Sequence, residues 1–382
     1  MDIIIGHHLM MNLQHSVLAI DPLAGPDASG YSQAAIIIFA VIAALGGGAL
    51  GASMGALPAF IMTGILVIAG AVATAIGLPG AKATIYAAAW GPMFGPHVAF
   101  QGGAAAAAYT HKYHPDLLDD AKNILVPLGT HKDILAVGAI FGAVAQLLKM
   151  GTDIITGSSG DIGFAHIAWV IVFMAFVHRA LFGYNIIGRP SKSKLSQAAQ
   201  ARADGGSTGS APSWLSFYHN EAAAHAPYQF YWGEGIMLGA LVGAISGYVA
   251  LMTGSPWLPF GISAASLVFL ETPLGLREDQ ERAGFPITHQ MSLPAAVGAL
   301  AAFGMNNPPI DALWWALIVA IVFGALGEAF RILGDRLFYA WGDTHLDPPA
   351  VSIVITVALL VICSYVGIIG SNAFLGIGPH WF

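Results

Sequence analysis

Two histidines follow Gly/Pro-rich breaks in the sequence, one in each half of the chain. The first break, residues 91–96, reads GPMFGP and precedes His97; the second, residues 284–288, reads GFPIT and precedes His289. Proline lacks a backbone donor and cannot lie inside an uninterrupted helix, so each break is expected to interrupt a helix beside an imidazole. Imidazole can relay protons, gate a passage or bind a polar solute. We therefore name His97, His289, Pro96 and Pro286 as candidate substrate or pore residues.

Two acidic residues occupy matching places in the two halves. Asp153 follows Lys149 by four positions, and Asp335 follows Arg331 by four positions, so each acid shares a helical face with a base. Inside a membrane such a pair lowers the penalty for burying either charge. Glu328 adds an acid in the second half only. The five side chains are expected either to anchor helix ends as ion pairs or to form a proton or cation site that couples to transport.

Metal and enzyme motifs give no comparable signal. His111 and His114 have the spacing of metal ligands, but they lie in a polar stretch typical of surface histidines. The one cysteine, Cys363, excludes a disulfide framework and a cysteine-based metal site. No HExxH motif or phosphate-binding glycine-rich loop occurs. We predict neither a metal nor a cofactor, and we do not expect an enzyme.

The composition is that of a membrane protein. Hydrophobic residues make up 56% of the 382 residues and charged residues only 9%, against about 25% charged residues in soluble domains. A water-soluble fold cannot bury this excess of apolar side chains, so the lipid bilayer must be the solvent for much of the chain. The net charge of -7 carries no nucleic-acid signature.

The hydrophobic segments predict an all-α polytopic membrane protein. About ten segments alternate with polar stretches, and the third and eighth contain the breaks. They fall near residues 32–55, 57–77, 82–110, 134–152, 164–187, 233–253, 257–271, 289–304, 310–333 and 349–370. The predicted divisions are an N-terminal interfacial segment (1–31), a first repeat (32–187), a flexible linker (188–229) and a second repeat (230–382).

Collinear matches indicate that the second repeat is a copy of the first. Glycines at 47, 51 and 55 match glycines at 239, 243 and 247, an offset of 192 that also relates the two histidines. The acid–base pairs match at an offset of 182, so one deletion of ten residues after Thr110 explains both offsets. Glycines four residues apart line one helical face and allow close packing. We expect these glycine ladders to pack the two halves together.

The basic residues favour a cytoplasmic linker. If all ten segments span the membrane, twelve Lys and Arg residues lie on the linker side and two on the other side. Both termini are then outside, and the five-segment repeats are inverted. If the broken segments instead enter and leave on one side, eight helices span and the repeats are parallel, with eleven Lys and Arg residues on the linker side and three on the other. We favour inverted repeats. The side on which Asp343 lies distinguishes the two topologies.

Paired broken segments in two repeats are typical of secondary transporters, where the breaks form the central site. We therefore expect a membrane transporter or channel for a small solute or ion, with its site at the repeat interface. The alternative is a structural or scaffold subunit of a larger membrane assembly, favoured by the glycine ladders and by tryptophans near segment ends. The expected partners are the lipid bilayer, the solute, and further copies of the chain or other membrane subunits.

Overall fold

A computed structural model describes residues 33–78, 84–156, 165–190, 229, 231–270 and 285–370. These residues contain ten α-helices and no β-strand. The helices are α1 (Gln33–Met54), α2 (Ala56–Ala75), α3 (Ala99–Tyr113), α4 (Lys132–Thr156), α5 (His166–Leu181), α6 (Trp232–Thr253), α7 (Trp257–Ala265), α8 (His289–Phe303), α9 (Ala312–Gly334) and α10 (Pro348–Tyr365). The predicted interfacial segment 1–31 and nearly all of the linker 188–229 lie outside the described residues.

Three short non-α turns adjoin these helices. A π turn, Thr84–Ala89, precedes the first break. A 3-10 turn, Ser266–Leu270, extends α7, and a π turn, Asp335–Tyr339, extends α9.

Six helices of the described residues are long and apolar enough to cross a bilayer: α1, α2, α4, α6, α9 with its π turn, and α10. They measure 18 to 28 residues, against the roughly 20 needed to span the hydrocarbon core. Large apolar side chains point outward from them, including Phe39 on α1 and Ile245 on α6. Outward apolar side chains are stable in lipid and unfavourable in water. The protein is therefore an all-α membrane protein.

The helices that follow the two breaks are short and buried. α3 has 15 residues, a length of about 22 Å, and every residue from Ala99 to Ala108 is buried. α8 also has 15 residues, and nearly all of them are buried. α1 and α4 pack around α3, while α6 and α9 pack around α8. Both broken segments thus lie inside the helix bundle, where non-helical backbone at membrane depth is tolerated.

The glycine ladders pack helices within each half. A Cβ atom at Gly51 of α1 would overlap the carbonyl oxygen of Ala99 at the start of α3, and one at Gly243 of α6 would overlap the carbonyl oxygen of Ala320 on α9. The expectation that the ladders join the two halves is therefore wrong. Glycine is needed at these positions because α1 and α6 approach the backbones of their own half.

The two halves meet at two other helix pairs, α2 with α7 and α5 with α10. At the first contact Phe60 lies edge-on to Phe260, with ring centroids 6.2 Å apart. At the second, Ala175 of α5 packs with Val351 of α10 and with Leu346 just before it. Both contacts are apolar, so burial of apolar surface holds the halves together.

The close contacts in the first half give the chain direction. The first break packs against Gly47 of α1, and Gly103 further along α3 lies against Ala56 at the start of α2. α3 therefore runs from the middle of the bundle toward the turn between α1 and α2. α5 ends at the same end, because the Tyr184 hydroxyl donates to the carbonyl oxygen of Ala108 at 2.9 Å. We call this end, where the linker begins, the linker end.

In the second half, α9 runs antiparallel to α6. Gly235 near the start of α6 lies beside Glu328, whereas Gly247 near its end lies beside Ala320. The segment after α9 returns to the linker end, where the Asn185 amide nitrogen donates to an Asp343 carboxylate oxygen at 3.2 Å. At the opposite end, the Gly370 amide after α10 donates to the carbonyl oxygen of Ala301 in α8 at 3.0 Å.

Candidate functional site

The first break is built from tight turns fixed by one hydroxyl. The Gly95 amide donates to the Gly91 carbonyl at 2.9 Å, and the Val98 amide donates to the Gly95 carbonyl at 2.7 Å. The Thr63 hydroxyl of α2 donates to the Phe94 carbonyl at 2.5 Å. The interrupted backbone therefore finds hydrogen-bond partners without water, which it must do at membrane depth.

His97 lies at the end of this break and is completely buried. Its Nε2 atom is 2.8 Å from the side-chain oxygen Oε1 of Gln146 on α4. An amide oxygen only accepts, so Nε2 carries the hydrogen and donates. In the neutral ring Nδ1 is then an acceptor, and it has no hydrogen-bond partner among the described residues.

The second break is held by a glutamine that precedes α6. The Ile287 amide donates to Gln229 Oε1 at 2.8 Å, and Gln229 Nε2 donates to the Ile287 carbonyl at 2.9 Å. Gln290 Nε2 donates to the same carbonyl at 2.8 Å. Sequence reasoning missed Gln229, since it adjoins the polar linker and has no counterpart in the glycine or histidine pattern.

His289 starts α8 and has different neighbours from His97. Its side chain packs on aromatic rings, with centroid distances of 4.8 Å to Phe60 and 6.0 Å to Phe260. Its Nδ1 atom has no hydrogen-bond partner among the described residues. Glu328 matches Gln146 at the offset of 182, yet it accepts from Gln290 Nε2 at 2.8 Å. The two histidines therefore share a sequence position but not a hydrogen-bond environment.

Aromatic side chains bring the two breaks together. Phe60 contacts both His289 and Phe100, the latter at a ring-centroid distance of 6.1 Å and one turn beyond His97. Trp90, just before the first break, lies 5.3 Å from Phe260 and 5.0 Å from Trp257 between ring centroids. We call this group the aromatic junction; it comprises Phe60, Trp90, Phe100, Trp257, Phe260 and His289.

The two candidate prolines lie in the break backbones beside this junction. Pro96 is buried, and its carbonyl accepts from the Gln101 amide at 3.0 Å. Pro286 is half-buried and precedes Ile287. Each proline interrupts the regular helix that would otherwise continue, which positions the histidine that follows.

In the first half, the predicted acid–base pair lies near the end of α4. Lys149 Nζ is 2.6 Å from Asp153 Oδ2, and His166 Nδ1 at the start of α5 is 2.5 Å from Asp153 Oδ1. Gln146, the partner of His97, lies one turn before Lys149 on the same helix. The Lys149–Asp153 pair therefore lies one turn of α4 beyond the glutamine that accepts from His97.

In the second half, the acids and the base form one buried cluster. Arg331 Nη2 is 2.8 Å from Glu328 Oε1, and Arg331 Nη1 is 3.2 Å from Asp335 Oδ2. All three side chains are fully buried. Gln290, the residue next to His289, donates both to Glu328 and to the Ile287 carbonyl of the second break. Gln229 likewise donates to Glu328 and to Ile287, so two glutamines connect this cluster to the break.

A buried arginine ties the two halves together near the linker end. Arg179 of α5 donates from Nε to the Thr344 hydroxyl at 3.0 Å and from Nη2 to the Phe338 carbonyl at 2.9 Å. His178 Nε2 lies 2.9 Å from the same hydroxyl. In the sequence-based topology Arg179 is one of the twelve basic residues counted on the linker side, at the edge of the linker. An arginine inside an apolar segment predicts a buried and hydrogen-bonded side chain, and this feature of the sequence could have identified Arg179.

Metal and nucleophile motifs gain no support from the geometry. Among the described residues, no group of three or more His, Cys, Asp or Glu side chains could hold a metal ion. His114 instead lies 2.7 Å from Asp133. The pattern Gly-x-Ser-x-Gly occurs at 51–55, but Ser53 lies in the last turn of α1 and donates to the Leu50 carbonyl at 2.8 Å. A catalytic serine elbow would need a strand before the serine.

Comparison with known proteins gives a family for this arrangement. Residues 31–377 match the model of DUF7973, a family of unknown function. The chain belongs to this family. The DUF7973 match covers both breaks, both halves and the linker, so the two halves are parts of one family unit. No curated protein and no solved structure matches the chain.

Proposed function

We propose that the protein is a transporter or channel that moves a small solute or ion across the membrane through a central site at the aromatic junction. The observation that carries the proposal is a set of four buried atoms in or beside the breaks: Trp90 Nε1, His97 Nδ1, His289 Nδ1 and Gln290 Oε1. None has a hydrogen-bond partner among the described residues. Buried polar atoms are nearly always paired, so unpaired ones in and beside both breaks suit a site that takes a polar ligand.

The proposal includes two copies of a five-helix unit. In each half the helix with the glycine ladder packs on the third and fourth segments of the same half. These contacts are α1 with α3 and α4 in the first half, and α6 with α8 and α9 in the second. The halves touch at Phe60 of α2 and Phe260 of α7, which are the second helices of their halves. Internal repeats with broken helices at their interface are the common plan of secondary transporters.

The direction of the chain supports inverted repeats. The first half starts at the end opposite the linker and ends at the linker end, which requires five crossings. The Asn185–Asp343 hydrogen bond supports the placement of Asp343 at the linker end, as ten crossings require and eight parallel crossings do not. Three of the twelve basic residues, Arg179, Arg331 and Arg336, are buried. Without these three, nine Lys and Arg residues remain on the linker side against two on the other side, and this excess favours a cytoplasmic linker.

Transport in this proposal requires the aromatic junction to open. Its rings touch at centroid distances of 4.8 to 6.2 Å, so the present arrangement corresponds to a closed state. Rocking of one half against the other at α2 and α7 would separate Phe60 from Phe260. The buried pairs Lys149–Asp153 and Arg331–Asp335, with Glu328, are the groups that a proton or cation could break during such a movement.

The same ring contacts favour a second candidate function, a scaffold subunit of a larger membrane assembly or homo-oligomer. A junction that is permanently filled by aromatic rings would join the halves and conduct nothing. The scaffold proposal therefore predicts no flux of any solute, whereas the transport proposal predicts saturable flux of at least one.

The test is reconstitution of the full-length protein into liposomes, followed by flux measurements with methylammonium chloride, urea, glycerol, sodium formate and potassium chloride. The transport proposal expects flux of at least one probe above that of protein-free liposomes. It also expects at least about a tenfold loss in the double variant His97→Ala, His289→Ala. His131→Ala, in a polar loop, is the matched control and should keep wild-type flux. Wild-type flux in the double variant would remove the breaks from the mechanism.

A further inference from the structure

We infer that the solute bound between the breaks is a small primary ammonium cation, for which methylammonium is a suitable probe. This inference rests on the proposed transport function and specifies its substrate class. It depends on three features of the site: the hydrogen-bonding character of the unpaired atoms, the pairing of the helix-start amides, and the rings and charges around the junction.

The fixed unpaired atoms are acceptors. His97 donates from Nε2 to Gln146, which leaves Nδ1 with a lone pair. Gln290 donates from Nε2 to both Glu328 Oε2 and the Ile287 carbonyl, which leaves its Oε1 as an unpaired acceptor. Both side chains are completely buried. A buried acceptor is satisfied only by a group that donates, so the ligand must carry N–H or O–H hydrogens.

The helix starts offer little to an anion. At α3 the Ala99 amide donates to the Gly95 carbonyl and the Gln101 amide to the Pro96 carbonyl. At α8 the Met291 and Ser292 amides both donate to the Thr288 carbonyl. Anion sites at helix starts depend on free amides that point at the ligand. The amides of these first turns are therefore largely paired already. Among the four unpaired atoms, the indole N–H of Trp90 is the one fixed donor, whereas His97 Nδ1 and Gln290 Oε1 are fixed acceptors.

The rings and nearby charges distinguish a cation from a neutral donor. Phe60 and Phe260 pack against the His289 ring. Phe100 packs on Phe60, Trp90 on Phe260 and Trp257 on Trp90. Aromatic faces attract cations. The Asp347 carboxylate acts electrostatically on His289. Lys149 and Asp153 act on His97 with opposite signs, the lysine more strongly, and are bonded to each other. Arg331 is paired with Glu328 and Asp335, and Arg179 is held by oxygen atoms of Thr344 and Phe338. At His289, the aromatic rings and Asp347 therefore favour positive charge.

The test is equilibrium binding to the purified full-length protein in detergent, followed by the melting temperature and by calorimetry. We expect methylammonium chloride to raise the melting temperature saturably, while sodium formate, urea and glycerol do not. His97→Leu should weaken the apparent affinity for methylammonium by at least about tenfold, because leucine is similar in size but offers no acceptor to a charged donor. His131→Leu is the control for loss of a histidine elsewhere.

Several results would overturn the inference. Saturable binding of formate in place of methylammonium would assign an anion site, and saturable binding of urea or glycerol instead would assign a neutral one. Wild-type affinity for methylammonium in a folded His97→Leu variant would exclude His97 Nδ1 as the recognition group. If His97→Leu does not fold, the probe preference of the wild type still decides. Flux of formate or glycerol in liposomes would refute the substrate class and leave the transport proposal intact, whereas absence of all flux would refute both.

Discussion

The ring of Phe60 lies edge-on to the ring of Phe260, with their centroids 6.2 Å apart and their planes 85° apart. The two residues belong to α2 and α7, one of the two helix pairs at which the halves pack most extensively. Phe60 also contacts His289, so a movement that separates the two phenylalanines also changes the surroundings of one break. The pair is thus both a packing contact between the halves and a neighbour of the second break.

We predict that Phe60→Leu and Phe260→Leu increase flux of the permeant solute in liposomes by several-fold. Leucine keeps apolar contact but removes the edge-to-face pair, a contribution of about 0.5–1.5 kcal/mol beyond burial. A weaker closed state should open more often. Phe39→Leu, on the outward face of α1, is the matched control and should behave as wild type. Unchanged flux in both junction variants would mean that the ring pair does not limit passage.

The sequence predicted the helix positions and the two breaks, because these depend on local properties. Hydrophobic length locates membrane helices, and proline and glycine interrupt them wherever they occur. The acid–base spacing also predicted a real contact, since residues four apart on a helix are neighbours: Lys149 reaches Asp153, and Arg331 reaches Asp335.

Contacts between distant segments could not be predicted in the same way. The glycine ladders predicted close packing, but the pattern does not specify the partner, which proved to be the same half of the chain. Gln229 bonds to Ile287 across 58 residues, and Arg179 bonds to Thr344 across 165. No local period or motif encodes such pairs; they depend on how the helices assemble.

The buried cluster of Arg331, Glu328 and Asp335 predicts an order of destabilisation. Arg331→Met removes the base that bonds to both Glu328 and Asp335, a loss of about 3–5 kcal/mol of folding free energy. Glu328→Gln keeps the shape and leaves Arg331 paired with Asp335, so it should destabilise less. Melting temperatures in detergent should therefore fall further for Arg331→Met. Arg189→Met, at an exposed position, should melt like wild type. The reverse order would show that the cluster is not held as an ion pair.

Gln229 predicts a local effect on the second break. Gln229→Met is similar in length but removes both hydrogen bonds to Ile287, so the buried Ile287 amide loses its acceptor and the carbonyl loses one of its donors. An unsatisfied buried group costs about 1–3 kcal/mol. Hydrogen exchange of the peptide around residues 285–291 should therefore become faster, while exchange around the first break stays unchanged. Equal protection in the variant and the wild type would exclude Gln229 as the group that holds this backbone.

Two glycines of α1 give a matched pair of substitutions. Gly46 is exposed and has no neighbouring atom within 4 Å of the place where an alanine methyl group would lie, whereas a methyl group at Gly51 would overlap the Ala99 carbonyl at the start of α3. Gly46→Ala should be neutral or stabilise by up to about 1 kcal/mol, since alanine favours helix more than glycine does. Gly51→Ala should destabilise by about 1–3 kcal/mol or more, because backbone has to move.

Gly51→Ala should also reduce flux, since α3 follows directly on His97. Thermal melting and liposome flux measure both effects, and a Gly51→Ala variant that matches Gly46→Ala in stability and flux would refute the close contact between α1 and α3.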